Sequence, residues 1–470
     1  MYYTTETIQN ASVDFEKVLV IPSHLTDFVN RSTSVEATQG GREAYCFHGD
    51  LYFEQEDYRC PDCGCGMHIH NNYHVRLRHL CFGNRVSFVM FDKHRFICPE
   101  CGKTRMQEIP FKAEHHQITA ELLTFTKDLL HAGYTNKQVS QLTGLGEHTV
   151  KSIDLERLKE LYTKQVGETT ALKKPEKQAK FLAIDEFKLH NGYKYATHII
   201  DLETGHILWI QEGKKKQVVY DFIDHVGLDW MDGVEAVACD MNSDFQEAFE
   251  EKCPHIQPVF DHFHIIKNFN DKVVSAVRKD EQQRLKAEGD EAGYRALKRS
   301  RFILTSSRSR LEQLDKQAAE YTAKSKDNTL FPHRSAAPRG GNQEKYELLI
   351  QSNKLLFTAD LVKEMLEQAY KETSEIRMAQ CITDMIDICN ATGNKHFEWF
   401  ARLLDSHYEG IIAHASVPIS SGRIEGINNK IKTLRRQAYG LPDDEYFFLK
   451  LLDASRREYI RNRASHILFH

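Results

Sequence analysis

The sequence predicts a multidomain α/β protein: a cysteine-bearing ribbon and a run of short helices, then a mixed sheet interrupted by an all-helical insertion. Three observations predict it. Two copies of one short unit, Cys60-Pro61-Asp62-Cys63-Gly64 and Cys98-Pro99-Glu100-Cys101-Gly102, flank a segment with strand periodicity. Strand and helix patterns alternate over residues 179–262. A nearly unbroken helical pattern covers 280–410, and helix returns over 420–463. A chain of 470 residues has room for about three domains at roughly 150 residues each.

Composition narrows the class. Hydrophobic residues make up 41% and charged residues 27%, the balance of a folded globular protein. No apolar run approaches the roughly 18 residues of a membrane span. The start, Met1-Tyr2-Tyr3-Thr4-Thr5-Glu6, lacks the basic and then apolar pattern of a signal peptide. A cytoplasmic protein with no membrane partner is expected. The net charge of −5 excludes a bulk polycation, so any nucleic-acid site must come from local basic patches.

Residues 1–57 carry little signal and read as an N-terminal segment. Residues 58–115 read as a zinc ribbon. Seven of the eleven cysteines lie between Cys46 and Cys101, and without a signal peptide such clustering indicates a metal site rather than disulfides. Each C-x-x-C unit makes a tight knuckle, and two knuckles supply the four sulfurs of a structural zinc site: Cys60, Cys63, Cys98 and Cys101. Cys46, Cys65, Cys81, His68 and His70 lie nearby as alternative ligands. Between the knuckles, Tyr73, Val75 and Leu77 alternate with His74, Arg76 and Arg78, the period of a half-buried strand. From Gly66 to Gln107 there are seven Lys/Arg against two acids. That basic face, with Arg76 and Arg78, suits phosphate contacts.

Residues 116–165 read as a helix-turn-helix. Ile118, Leu122, Phe125 and Leu129 mark one face of the first helix. Thr135 is an N-cap for the second, whose apolar positions are Val139 and Leu142. Thr143-Gly144-Leu145-Gly146 forms the turn, and a third helix starts at Glu147 with Val150 and Ile153 inward. His148, Lys151 and Ser152 face outward near its start, where such a helix reads a major groove.

In residues 179–279 the acids matter. Phe181-Leu182-Ala183-Ile184-Asp185 is an apolar strand ending in an acid. Tyr193–Asp201 and His206–Glu212 follow as strands, and Lys216–Val226 as a helix. Val234–Asp240 is a further strand ending in an acid, and Ile256–Asp261 a fifth. This order is that of the ribonuclease-H-like fold, in which the first and fourth strands are neighbours. Asp185 and Asp240 would then lie side by side, and two adjacent carboxylates are natural ligands for hard divalent ions. A third acid comes from the helix over 421–436. Ile424, Ile427, Ile431, Leu434 and Ala438 share one face, while Glu425, Asn429, Lys432 and Arg436 share the other.

In this order of motifs the chain resembles the ISL-three family of bacterial insertion-sequence transposases. The residues carrying the likeness are the paired CPxCG units, the helix-turn-helix, Ala183-Ile184-Asp185-Glu186, Ala238-Cys239-Asp240-Met241, Asp261-His262-Phe263-His264, and Gly422-Arg423-Ile424-Glu425-Gly426-Ile427-Asn428 followed by Lys432–Gly440. Ser421 stands where the family usually has Asn. The resemblance implies a DDE triad of Asp185, Asp240 and Glu425, holding Mg²⁺ or Mn²⁺. It also implies a catalytic domain formed by 179–279 and 411–470, with 280–410 as a helical insertion. Lys432, Arg435 and Arg436 would hold phosphates. Asp261 and His264 either serve the active site or form a packed pair at a helix start.

The expected function is a DNA transposase. It would bind the terminal inverted repeats of its element, cleave strands and join them to target DNA, acting at the bacterial nucleoid as a homodimer or higher oligomer. Two rival readings are a non-catalytic DNA-binding regulator, which leaves three ordered acids unexplained, and a ribonuclease-H-like nuclease that cuts without joining.

Overall fold

The computed structural model describes residues 25–38, 41, 43–83, 85–190, 192, 194–241, 243–260, 262–324, 340–420, 422–437 and 443–457. It is a mixed α/β protein divided into two compact units: residues 1–173 with 435–450, and residues 174–434 with 451–470. Among the described residues no helix is long and apolar enough to cross a membrane.

The first unit is built on a sheet of β1 (Phe28–Ala37), β2 (Glu43–Leu51), β3 (His68–Phe82), β4 (Arg85–Ile97) and β5 (Thr104–Met106). The strand order is β1-β2-β4-β3, with β5 paired to β4; β2 and β4 are parallel and the other pairs antiparallel. The sheet thus crosses residue 57, where the sequence suggested a boundary. β1 and β2 join the ribbon strands because they share its apolar core: Phe47 and Leu51 pack with Leu77, Val89 and Phe91.

Three helices follow: α1 (Ala120–His131), α2 (Asn136–Thr143) and α3 (Glu147–Tyr162). Thr119 caps α1, and Thr135 forms a capping box with Gln138 on α2. Their core unites Ile118, Leu122, Leu130, Val139, Leu145, Val150 and Ile153. Two expected core positions are exposed instead, Phe125 and Leu142. Thr126 and Thr143 take the buried turns, each donating its hydroxyl to a backbone carbonyl four residues earlier. That local bond lets a polar side chain occupy the inner face. A hairpin of β6 (Thr163–Val166) and β7 (Thr169–Leu172) closes this part of the unit.

The second unit centres on β8 (Phe181–Lys188), β9 (Tyr195–Asp201), β10 (Ile207–Glu212), β11 (Ala236–Cys239) and β12 (Gln257–Phe260), in spatial order β10-β9-β8-β11-β12. The first three strands are antiparallel neighbours; β11 runs parallel to both β8 and β12. The crossovers carry α4 (Lys216–Val226) and α5 (Ser243–Lys252). Buried on both faces, β11 reads as an unbroken apolar run.

After β12, α6 (His262–Asn268) leads through a π-helical stretch, Phe269–Val274, into helices that run to Ile412. This helical region shares one continuous apolar cluster with the sheet: Leu182, Ile199 and Phe260 on strands, and Phe269, Met385, Phe397 and Phe400 on helices. Two late helices follow among the described residues: α7 (Gly422–Gln437) and α8 (Asp444–Arg456). Residues 443–450 group with the first unit, whereas the expected catalytic domain assigned 411–470 wholly to itself.

Candidate active site and metal centre

The four cysteines form two copies of one backbone turn. Cys60 N–H donates to the Cys65 carbonyl at 2.8 Å and Gly64 N–H to the Cys60 carbonyl at 2.9 Å. Cys98 N–H donates to Lys103 at 2.8 Å and Gly102 N–H to Cys98 at 3.0 Å. Both turns need a left-handed residue, and Gly64 and Gly102 each have φ +71°. The sulfurs converge: Cys60–Cys101 and Cys63–Cys98 are each 3.4 Å apart, and all four lie within 4.8 Å of one another. Backbone N–H groups of Cys63 and Asp62 directed at the Cys60 sulfur pull its thiol down to about 6, and those of Cys101 and Glu100 lower Cys98. At Cys63 and Cys101 backbone N–H groups lower the thiol too, but the neighbouring sulfurs outweigh them and push both up instead. A divalent cation among the four would relieve that repulsion. Tyr58 stacks on Phe96 beneath it, with ring centroids 4.0 Å apart, and Lys103 bridges the knuckles by binding both Asp62 oxygens at 2.7 Å.

In the second unit, β8 and β11 are parallel, with Ala183 opposite Ala238. Two residues further along that register lie Asp185 and Asp240: Asp240 follows the last residue of β11, whereas Asp185 is not the strand end the sequence suggested, because β8 goes on pairing with β9 as far as Lys188. Each carboxylate accepts the N–H of the residue after it: Glu186 N–H to Asp185 Oδ1, and Met241 N–H to Asp240 Oδ1, both 2.7 Å. Asn428 Nδ2, from α7, donates to Asp185 Oδ2 at 2.6 Å. His264 Nδ1, on α6, lies 3.5 Å from Asp240 Oδ1. Burial pushes the Asp185 carboxyl above its ordinary range, Asp240 adds to the shift, and the Glu186 and Asn428 hydrogen bonds oppose it. Glu186 is raised too, by burial first, with Lys214 opposing.

The site therefore gathers Asp185, Asp240, His264 and Asn428. Glu425 stands exposed on α7, one turn before Asn428, while Ile424, Ile427 and Ile431 are buried beneath the helix. Among the described residues the four cysteines are the one group of three or more His, Cys, Asp or Glu whose ligand atoms all lie within 4.8 Å, so the three acids are not drawn that close. Asp261 lies outside the described residues. Asn429 is exposed, and its carbonyl accepts the Thr433 hydroxyl. Sequence reasoning passed over Asn428; its spacing of three from Glu425 on a helix was the available signal.

The expected DNA-contacting residues differ in their surroundings. His148 is exposed. Lys151 pairs with Asp443 at 2.9 Å and sits over the Tyr446 ring, and Ser152 donates to Glu156 at 3.2 Å. Arg76 stacks 3.8 Å from the Phe88 ring centroid. Arg78 is half-buried, and its Nη2 donates to the Thr143 carbonyl at the end of α2. On α7, Lys432 and Arg436 are exposed, whereas Arg435 lies over the Phe447 ring.

Two acids on neighbouring strands of a mixed sheet, a helix tied to one of them, and a separate cluster of four cysteines that could hold a metal ion define the class: a mixed α/β protein with a four-cysteine centre. The chain belongs to the ISL3 family of transposases: the family model, described as a transposase, matches residues 182–451. It is similar to the transposase for insertion sequence element IS1001 of Bordetella parapertussis, at 26% identity over 83% of this chain and 87% of that one. It is also similar to the transposase for insertion sequence element IS1557 of Mycobacterium tuberculosis, at 23% identity over 77% of each.

Proposed function

We propose that this chain is the DDE transposase of an insertion sequence, and that Asp185, Asp240 and Glu425 hold the divalent cations of its strand-cleavage and strand-transfer site. The observation that carries the reading is the parallel pairing of β8 and β11, which sets Asp185, within β8, beside Asp240, the residue after β11. The strand order β10-β9-β8-β11-β12 supports a ribonuclease-H-like catalytic core. The donor set fits a hard cation: two adjacent carboxylates destabilise each other unless positive charge lies between them. Bound there, Mg²⁺ or Mn²⁺ would supply Lewis-acid activation of the attacking oxygen and stabilisation of the leaving one.

The chain's own groups do the rest. The N–H groups of Glu186 and Met241 and the Asn428 amide hold the two aspartates in fixed rotamers. Glu425 brings a third charged oxygen on α7, and Lys432, Arg435 and Arg436 continue along that helix as phosphate contacts. In the first unit, Cys60, Cys63, Cys98 and Cys101 fit one structural zinc. The three helices α1, α2 and α3 support a helix-turn-helix that binds terminal inverted repeats, with His148 at the exposed start of the recognition helix. Lys151 must leave Asp443 to reach DNA. Cutting and joining two ends calls for two active sites, hence a dimer or larger assembly on DNA.

The test is an incubation of the protein with Mg²⁺, labelled element ends and plasmid target. Products in which an element end is covalently joined to target support the reading. Nicks without joined products contradict strand transfer, and no nicking in any divalent metal contradicts the whole reading.

A further inference from the structure

We propose that Asn428 is the positioning residue of the catalytic carboxylates: its amide fixes the plane of Asp185 and, through the same bond, the rotation of α7 that presents Glu425. The inference rests on the reading of Asp185 as a cation ligand.

Asp185 Oδ1 accepts the Glu186 N–H at 2.7 Å and Oδ2 accepts Asn428 Nδ2 at 2.6 Å. Each carboxylate oxygen has two lone-pair sites, so one donor on each orients the group and leaves one site on each for a ligand. The donor's neutrality matters. A Lys or Arg at 428 would orient Asp185 equally well but would put a fixed positive charge where a divalent cation must bind. An amide orients without that repulsion, as hydrogen-bonding partners of metal-ligating carboxylates commonly do. Asn428 Oδ1 is buried and has no hydrogen-bond partner among the described residues, which leaves it as an acceptor beside the same carboxylate.

The bond also fixes a helix. Ile424, Ile427 and Ile431 hold α7 down by burial, and Arg423 and Lys430 donate to the Glu203 and Ala454 carbonyls; apolar contact and long flexible side chains tolerate small rotations. The Asn428–Asp185 bond does not, because a hydrogen bond weakens steeply with angle. Glu425, three residues earlier, turns with Asn428. One amide thus sets two of the three acids relative to each other.

The experiment titrates Mn²⁺ into the full-length protein, following free Mn²⁺ by electron paramagnetic resonance, and measures nicking at a labelled element end in parallel. Wild type is compared with Asn428→Ala, Asn428→Gln and Asp185→Asn. Asn428→Ala is expected to weaken Mn²⁺ binding about 10- to 100-fold, to lower the nicking rate, and to leave repeat binding and zinc content unchanged. Asn428→Gln, which keeps the amide, should recover part of the affinity. Mn²⁺ affinity and nicking at wild-type levels in Asn428→Ala would overturn the inference. Should Asn428→Ala not fold, Asn428→Gln decides: Mn²⁺ affinity no better than that of Asp185→Asn overturns positioning by the amide. Undiminished Mn²⁺ binding by Asp185→Asn overturns the underlying reading of the site, whatever Asn428 does.

Discussion

The Tyr446 hydroxyl donates to Asp154 Oδ2 at 2.7 Å, and both side chains are buried. The same carboxylate takes Lys450 Nζ at 2.7 Å and, on its other oxygen, Arg157 Nη2 at 2.8 Å. The Tyr446 oxygen also meets Asn136. The start of α8 is thereby fastened to α2 and α3 by a single buried acid. Removing Asp154 takes the carboxylate away from buried Arg157 and partly buried Lys450, so Asp154→Ala should cost about 3–5 kcal/mol. Tyr446→Phe removes one hydrogen bond and should cost about 1–2 kcal/mol. Denaturant unfolding of both variants checks the order; equal losses would show that the acid is not the centre of the network.

The buried His198 stands opposite Asp185 across β9 and β8 and packs edge-on to Phe187 at 5.7 Å. Burial pushes its imidazole down to about 4. Below that pH the ring is protonated whether the chain is folded or not, and above about 6.5 it is neutral in both. Between those values the unfolded chain keeps a proton that the folded chain has released, so stability rises with pH across the window. The rise is on the order of 3 kcal/mol at most. His198→Phe should flatten it, as read from unfolding free energies between pH 4 and 6.5. An unchanged slope would assign the acid sensitivity to other groups.

The cysteine cluster should hold one zinc per chain. Elemental analysis of purified protein should give a ratio near one, and Cys63→Ser with Cys101→Ser should bring it near zero. Because metal binding and local folding are linked, the double variant should also become protease-sensitive around residues 58–106. Stoichiometric zinc in that variant would place the metal elsewhere.

Gly144 ends α2 at φ +67°, and a Cβ there would lie 2.1 Å from Arg78 Nη2. Gly144→Ala therefore carries both left-handed strain and a clash with the side chain that caps α2, and should cost about 1–3 kcal/mol. Arg78→Ala should likewise lower the melting temperature of the first unit. If Arg78→Ala weakened DNA binding without changing stability, the arginine would be a phosphate contact and not a cap.

How much of this was legible in the sequence differs by element. The duplicated CPxCG units name the four cysteines whose sulfurs converge, because a turn of that length admits few geometries. The β8 and β11 acids were legible because each follows a buried apolar run; the run marked the end of β11 but not of β8, which continues on β9 to Lys188. The helix over Lys216–Val226 was legible from apolar period alone. Helix phase was not: Phe125 and Leu142 fit an apolar stripe, yet buried threonines that bond their own backbone took the inner face. Membership of β1 and β2 in the ribbon sheet depends on long-range pairing with β4, which no local pattern encodes. Asn428 was not singled out, because its partner Asp185 lies 243 residues away in the chain and only the fold brings the two together. The Asp154 cluster was hidden for the same reason: its partners lie about three hundred residues away in the chain.

The most direct test of the central claim is Mg²⁺-dependent nicking at a labelled element end by wild type, Asp185→Asn, Asp240→Asn, Glu425→Gln and Glu409→Gln, the last an exposed acid on the short helix Tyr408–Ile412 that precedes α7 and the rival candidate for third ligand. The first three substitutions each remove a charged oxygen ligand and should abolish nicking, with repeat binding retained. Glu409→Gln should nick like wild type. Wild-type nicking by Glu425→Gln, together with loss in Glu409→Gln, would contradict the assignment of the third acid. Wild-type nicking by Asp185→Asn would contradict the site itself.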